Sequence, residues 1–141
     1  MKKAVPAGLF LTVLWACAPA SDCIQGSIYD EGGEQQVWAG CIERAETAEE
    51  RIQGLIGHPP LPESEAMLLV FPQSSKVCIH NEGVTFPIDV VFLDEEKVVQ
   101  MVIGNIPANS TNQSCRDNTR YVLELAAGQA TYWLPGYRLQ L

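Results

Sequence analysis

Two acidic side chains stand inside apolar segments of this 141-residue sequence. Asp89 interrupts the largely β-branched run 88–93, and Glu124 lies among the apolar residues of 121–125. A carboxylate without a partner is costly among apolar neighbours, so both side chains are expected to have one. For Asp89 the natural partner is Arg51, because a guanidinium group can bind a carboxylate through two parallel hydrogen bonds.

Arg51, Asp89 and Glu124 therefore form a candidate pocket or a structural ion pair. We favour the ion pair, in which Arg51 on a helix is joined to Asp89 on a sheet. The functional alternatives are an Arg51 that recognises an anion and an Asp89 that acts as a general acid or base. In a third alternative, Asp89 faces water at a strand end. Glu124 is expected to be satisfied by a backbone amide or by Arg120 or Arg138.

A thiol and an imidazole stand two residues apart at Cys78 and His80. Such side chains lie on the same side of an extended strand, so these two could form a nucleophilic pair, or a metal site with Cys115 or His58. The sequence holds only two histidines and contains no CxxC, HExxH or GxSxG motif. We therefore assign no catalytic residue, no metal ligand and no cofactor.

The N-terminus has the pattern of an export signal. Two lysines precede the apolar stretch 4–16, which is too short to span a bilayer as a helix. Residues 1–16 are predicted to be a signal peptide. The stretch ends Leu-Trp-Ala-Cys, which resembles a bacterial lipobox, so Cys17 is predicted to carry a lipid anchor. The expected location is the outer membrane; cleavage after the Ala-Pro-Ala triplet at 18–20 would instead release a soluble periplasmic protein.

The cysteine count fits an oxidising compartment. There are five cysteines, and assigning Cys17 to lipid leaves an even four. These four are predicted to form two disulfides, for which three pairings are possible. We favour Cys23 with Cys41 and Cys78 with Cys115, since the first bond would hold the N-terminal segment to the first strand and the second would pin a long loop. A free nucleophilic thiol is the alternative.

The elements that position these residues follow from hydrophobic periodicity. Thr47 and Glu50 form a capping box at the start of a short helix, whose apolar face would hold Ala48, Ile52, Leu55 and Ile56. Strands are predicted at 36–42, 67–71, 77–79, 88–93, 98–103, 121–125 and 137–141. A surface loop is predicted at 107–118 and a helical turn at 128–134.

This pattern predicts an α+β domain, namely a small antiparallel β-barrel-like sheet with one amphipathic helix packed against it. The predicted organisation is a signal peptide at 1–16, a tether at 17–35 and one domain at 36–141. That domain is large enough to bury a core of its own.

Several of these segments resemble a known family in order along the chain. The helix reads TAEERIQGLIG, the next strand reads EAMLLVF, and GVTFPIDVVFLD follows it. Together with Cys115 and the stretch YVLELAAG, they resemble the DUF192 family over residues 37–141. The resemblance implies a compact β-barrel-like fold with a packed helix, and it implies no reaction. His58 departs from the family pattern, as do His80 and Asn81.

Charge and motifs together limit the function. The formal net charge is -8 and no basic run exists, so nucleic acid is excluded as a partner. We expect a cell-envelope protein held to the membrane by lipid, acting as a binding or accessory module without catalysis. Its partner would be an envelope protein or a small ligand. The alternative is an envelope-polymer hydrolase that uses Asp89 with Glu124 or His80.

Overall fold

Over the described part of the chain, one curled β-sheet and one short helix make up the fold. The computed structural model describes residues 22–141, so the predicted signal peptide and Cys17 lie outside the described residues. The elements are β1 (Ile24–Tyr29), β2 (Gln36–Ala45), α1 (Ala48–Gln53), β3 (Glu65–Ile79), β4 (Ile88–Leu93), β5 (Val99–Ile106), β6 (Ser114–Ala126) and β7 (Arg138–Gln140).

The sheet is mixed and open, which corrects the predicted antiparallel barrel. Its strand order is β5-β4-β6-β3-β2-β1-β7, and the fold is largely β. β2 and β3 pair in parallel because α1 carries the chain across between them. The two edges of the sheet meet over only a few residues, where Val98 bridges Arg138 and backbone hydrogen bonds join Val99 to Gly136 and Tyr137, and Lys97 to Leu139. The sheet therefore curls into a half-barrel without closing.

The helix begins as predicted but does not pack as predicted. The Thr47 hydroxyl accepts from the Glu50 N–H, and the Glu50 carboxylate accepts from the Thr47 N–H, which completes the capping box. However, α1 has only six residues, and none of them is buried. It ends at Gly54, whose φ of 44° turns the chain so that Leu55 alone enters the core. Ile52 remains 78% exposed.

Two strands are longer than the sequence indicated. β3 joins the predicted strands 67–71 and 77–79, and β6 begins at Ser114, inside the predicted loop 107–118. Their central residues are polar and exposed, so periodicity gave no signal there. These residues are extended because β3 pairs with β6 from Ala66 to Ile79, with register shifts near Ser75.

The predicted tether is partly a strand. β1 lies within residues 17–35 and pairs with both β2 and β7. Ile28 is fully buried on it, and the Gly26 backbone is buried against Ile42, which leaves no room for a side chain at that glycine. The composition of this segment is typical of a linker, but β1 forms a regular strand because it is hydrogen-bonded on both sides.

Two apolar cores lie on the two faces of the sheet. The helix-side core is defined by Ala45, Leu55, Met67, Leu69, Val90, Phe92 and Val122, among others. The inner core includes Ile28, Leu68, Val91, Leu123, Leu125 and residues of both edge strands, Val99 and Leu139, so it fills the concave side of the half-barrel. Successive residues of a strand alternate between these cores. No helix within residues 22–141 combines the length and the apolarity needed to cross a bilayer.

Candidate functional site

Asp89 is held by backbone amides, not by Arg51. Its Oδ1 accepts from the Asn105 N–H at 2.8 Å, and its Oδ2 accepts from the N–H groups of Gly128 at 3.0 Å and Ala130 at 2.8 Å. The side chain is fully buried. The predicted ion pair is therefore wrong, and so is the alternative of a strand end facing water. The carboxylate instead fastens the end of β5 and the turn after β6 to β4.

Arg51 binds carbonyl oxygens on the opposite side of the sheet. Its Nη1 donates to the carbonyl oxygen of Val70 at 2.9 Å and to that of Glu46. Its guanidinium carbon lies 5.1 Å from the centre of the Phe71 ring, within the range of a cation–π contact. Arg51 thus joins α1 to β3 without contacting a carboxylate.

Glu124 has no polar partner within residues 22–141. It lies on β6 opposite Val90 and Met67, facing the helix-side core, and it is only 6% exposed. Its Oε2 is buried and makes no hydrogen bond. Burial raises the pKa of the Glu124 carboxyl from 4.5 to about 7. The predicted arginine partners lie elsewhere: Arg120 donates to the Pro72 carbonyl, and Arg138 lies on β7 at the far edge of the sheet.

An open cavity of about 570 Å³ lies over Glu124, between α1 and the sheet. We call it the α1 cavity. Its walls are mainly apolar and include Ile52, Leu55, Ile56, Leu69, Phe71, Ile79 and Val84. Arg51 and Glu124 both line it, yet no ion pair forms between them among the described residues. The volume lies in the range of natural small-molecule sites.

The rim of the α1 cavity carries the remaining polar groups. His80 and Glu82 are exposed there, and the Glu82 N–H donates to His80 Nδ1 at 3.2 Å. Cys78 also lines the rim, but it is bonded to Cys115. The nucleophilic pair of Cys78 with His80 is therefore not available.

Asp89 and Glu124 cannot act on one substrate, because they lie on opposite faces of the sheet. Asp89 pairs with Leu125 and faces the inner core, whereas Glu124 pairs with Val90 and faces the helix-side core. His80 shares the α1 cavity with Glu124 and not with Asp89. The alternative of a hydrolase that uses Asp89 with either residue is thus incompatible with the geometry.

The four cysteines other than Cys17 form the pairs favoured from the sequence. Cys23 is bonded to Cys41, and Cys78 to Cys115. Cys78 and Cys115 are directly opposite each other in the β3–β6 ladder. Two disulfides indicate an oxidising compartment and hence export.

The potential metal ligands do not converge. Within residues 22–141, no three His, Cys, Asp or Glu side chains are placed to share an ion. His58 Nε2 lies 3.5 Å from Glu43 Oε2, and its Nδ1 lies 2.7 Å from the Pro59 carbonyl oxygen, outside the α1 cavity.

Sequence reasoning missed Asn81 and the apolar walls of the cavity. Asn81 is fully buried, and its Nδ2 donates to the carbonyl oxygens of Phe86 and Pro107. It thereby holds the segment between β3 and β4 that forms one side of the cavity. The spacing of Ile52 and Ile56 is the one signal for these walls in the sequence, but it predicts a face packed on the sheet equally well.

Comparison with known proteins identifies the family. The family model DUF192, described as Uncharacterized ACR, matches residues 29–140. This chain belongs to the DUF192 family. The resemblance noted from its motifs is therefore confirmed, while the description assigns no activity to a DUF192 protein. No curated protein matches the chain.

Two solved structures share the fold of this DUF192 protein. One, from Sinorhizobium meliloti 1021, is provisionally described as a transcription regulator; it is 24% identical, with a TM-score of 0.77 over 82% of this chain and 91% of that one. Another, a protein of unknown function from Novosphingobium aromaticivorans DSM 12444, is 20% identical, with a TM-score of 0.78 over 89% of this chain and 91% of that one. At these identities the similarity establishes the fold alone.

Proposed function

We propose that this DUF192 protein is an exported cell-envelope protein, anchored by lipid at Cys17, that binds a small ligand in the α1 cavity and acts as a binding or accessory module. The two disulfides support export. The lipobox-like Leu-Trp-Ala-Cys supports the anchor and an outer-membrane location, and cleavage after residue 20 would make the protein periplasmic.

The observation that carries the binding role is the unpartnered carboxyl of Glu124 at an open, apolar cavity. A polar group this buried is normally hydrogen-bonded, and leaving it unpaired destabilises the fold. Perturbed acids of this kind cluster at functional sites. A ligand that enters the cavity would supply the missing partner and cover the apolar walls.

The composition of the cavity supports binding over turnover. Among the described residues that line it, none offers a hydroxyl group, and its one cysteine is held in a disulfide. The acid on the other face of the sheet, Asp89, is enclosed by three backbone N–H donors. In the part of the chain that the structure describes, no nucleophile, base and oxyanion donor are therefore arranged around one point.

A fluorescent apolar probe tests the proposed site. We expect N-phenyl-1-naphthylamine to bind the mature protein with a rise in fluorescence. Ala48 is exposed at the cavity wall, so Ala48→Trp should fill the entrance and abolish the signal. Ala39 is exposed on β2 outside the cavity, so Ala39→Trp is the matched control and should leave binding unchanged. Equal binding by all three proteins would contradict the assignment.

A further inference from the structure

The charged side chains of the α1 cavity indicate which class of ligand it binds. Four charged or titratable side chains line it, Arg51, His80, Glu82 and Glu124. Arg51 is already engaged, because its Nη1 donates to two carbonyl oxygens and its guanidinium lies over Phe71. The buried group without a partner is therefore the acid, Glu124. An anionic ligand would place a second negative charge beside it.

A cation satisfies this acid best. An ammonium group donates hydrogen bonds to a carboxylate, and bonds between charged groups are stronger than those between neutral ones. The net charge of -8 also favours the approach of a cation. The exposed carboxylate of Glu82 at the rim adds to this local attraction.

The walls indicate the remainder of the ligand. Ile52 is 78% exposed and Ile56 is 39% exposed, and both line the same cavity as Phe71 and Val84. Covering such side chains with an apolar group stabilises a complex by removing their surface from water. Gly83 lies directly against Ile56, so the wall is continuous from α1 to the segment after β3.

We infer that the ligand of the α1 cavity is a primary amine carried on an apolar body, with its ammonium bound to the Glu124 carboxylate and its body against Ile52, Ile56 and Phe71. This inference rests on the proposed function, because it names the ligand class of the same site. It adds a chemical requirement that an apolar probe alone does not test.

Three six-carbon ligands that differ in their head group test the inference. Hexylamine, hexan-1-ol and hexanoate would each be titrated calorimetrically into the mature protein. Hexylamine should bind roughly tenfold or more tightly than hexan-1-ol, since only the amine forms a charged hydrogen bond with Glu124. Hexanoate should bind most weakly. Hexanoate as the tightest ligand, or equal affinities for the amine and the alcohol, would overturn the inference.

Two Glu→Gln variants locate the head group. Glu124→Gln should weaken hexylamine binding by roughly tenfold or more and leave hexan-1-ol within about threefold. Glu95→Gln, at an exposed position outside the α1 cavity, is the control and should leave the affinity for hexylamine unchanged. Unchanged hexylamine affinity in the Glu124 variant would refute the assignment.

The dependence of binding on pH gives an independent readout. A raised pKa of about 7 means that Glu124 is mostly protonated at pH 6, whereas the alkylamine remains charged. Hexylamine affinity should therefore fall about tenfold between pH 8 and pH 6. His80 also lines the α1 cavity, so His80→Gln is the control and should retain the fall if Glu124 causes it. A flat profile in the wild-type protein would contradict the inference.

The fluorescent probe distinguishes a failure of the proposed binding site from a failure of the proposed amine ligand. If N-phenyl-1-naphthylamine binds the α1 cavity and hexylamine does not displace it, the proposed binding site stands and the amine class is wrong. If Ala48→Trp does not affect probe binding, the site itself is wrong. Displacement by hexylamine in the wild-type protein but not in Glu124→Gln would support both the site and the amine ligand.

Discussion

Replacing Glu124 by glutamine should stabilise the protein at alkaline pH and have little effect at acidic pH. The Glu124 carboxyl is buried without a hydrogen bond to Oε2, and burial raises its pKa from 4.5 to about 7. Because the folded state favours the neutral acid, the protein has its full folding stability below pH 4.5. This stability is progressively lost as the pH rises towards 7, where the folded protein must bury a charge.

The expected size follows from the two pKa values. A tenfold change in an ionisation constant is worth about 1.4 kcal/mol, so a rise from 4.5 to about 7 destabilises the fold by about 3 kcal/mol at alkaline pH. Part of this cost is already present at pH 5. Between pH 5 and pH 8 the stability of Glu124→Gln relative to wild type should therefore increase by about 2.5 kcal/mol. The glutamine amide does not titrate, so its own burial cost is constant and cancels from this difference.

Urea unfolding of both proteins at pH 5 and pH 8 measures the effect. Comparison of two variants cancels the contributions of all other titrating groups, and Glu82→Gln on the exposed rim of the α1 cavity should show no such difference. If wild type and Glu124→Gln change in parallel from pH 5 to pH 8, Glu124 ionises at its ordinary pKa. The account of a buried, unpartnered acid would then be refuted.

Three other predictions concern the clamp at Asp89, the disulfides and the anchor. Asp89→Asn should lower the free energy of unfolding by about 3 kcal/mol, because an amide cannot accept from all three backbone N–H groups. Asp117→Asn, at an exposed position, is the control. Equal urea midpoints for Asp89→Asn and the wild-type protein would contradict the role of Asp89 as a clamp. Thiol titration of the denatured, unreduced mature protein should find almost no free cysteine, and two or more free thiols would disprove the disulfides. Protein extracted from membranes should show a diacylglyceryl adduct on Cys17 by mass spectrometry, and a Cys17→Ser form that still partitions to membranes would rule out the anchor.

Local signals in the sequence predicted the local parts of the fold. The capping box of Thr47 and Glu50 places the start of α1, because both of its hydrogen bonds lie within one turn. The strands predicted at 88–93 and 98–103 follow each other closely in the sequence, and they pair as β4 and β5. In both cases the residues that determine the structure are neighbours along the chain.

The partners of the two buried acids could not be predicted, because they depend on contacts between distant segments. Asp89 is satisfied by backbone N–H groups 16 to 41 residues away, and no residue type signals such a donor. A buried carboxylate is expected to pair with a cation such as Arg51, but three backbone N–H groups satisfy Asp89 instead. Asn105 and Gly128, which present two of the donors, have positive φ angles of 54° and 94°.

The α1 cavity was missed for a related reason. An apolar helical face at Ile52 and Ile56 is expected to pack on a sheet, and here it stands open beside an unpaired Glu124. Hydrophobic periodicity shows which side chains share a face, but it does not show whether that face is covered. The same spacing is therefore compatible with a core and with a binding site.

The most direct test of the ligand site is an NMR titration of the Glu124 side-chain carboxyl carbon, in the free protein and with saturating hexylamine. We expect a midpoint at about pH 7 in the free protein. With hexylamine the midpoint should move clearly downward, because an ammonium group favours the ionised carboxylate. A midpoint near 4.5 in the free protein, or one that hexylamine leaves unmoved, would contradict the proposed ligand site.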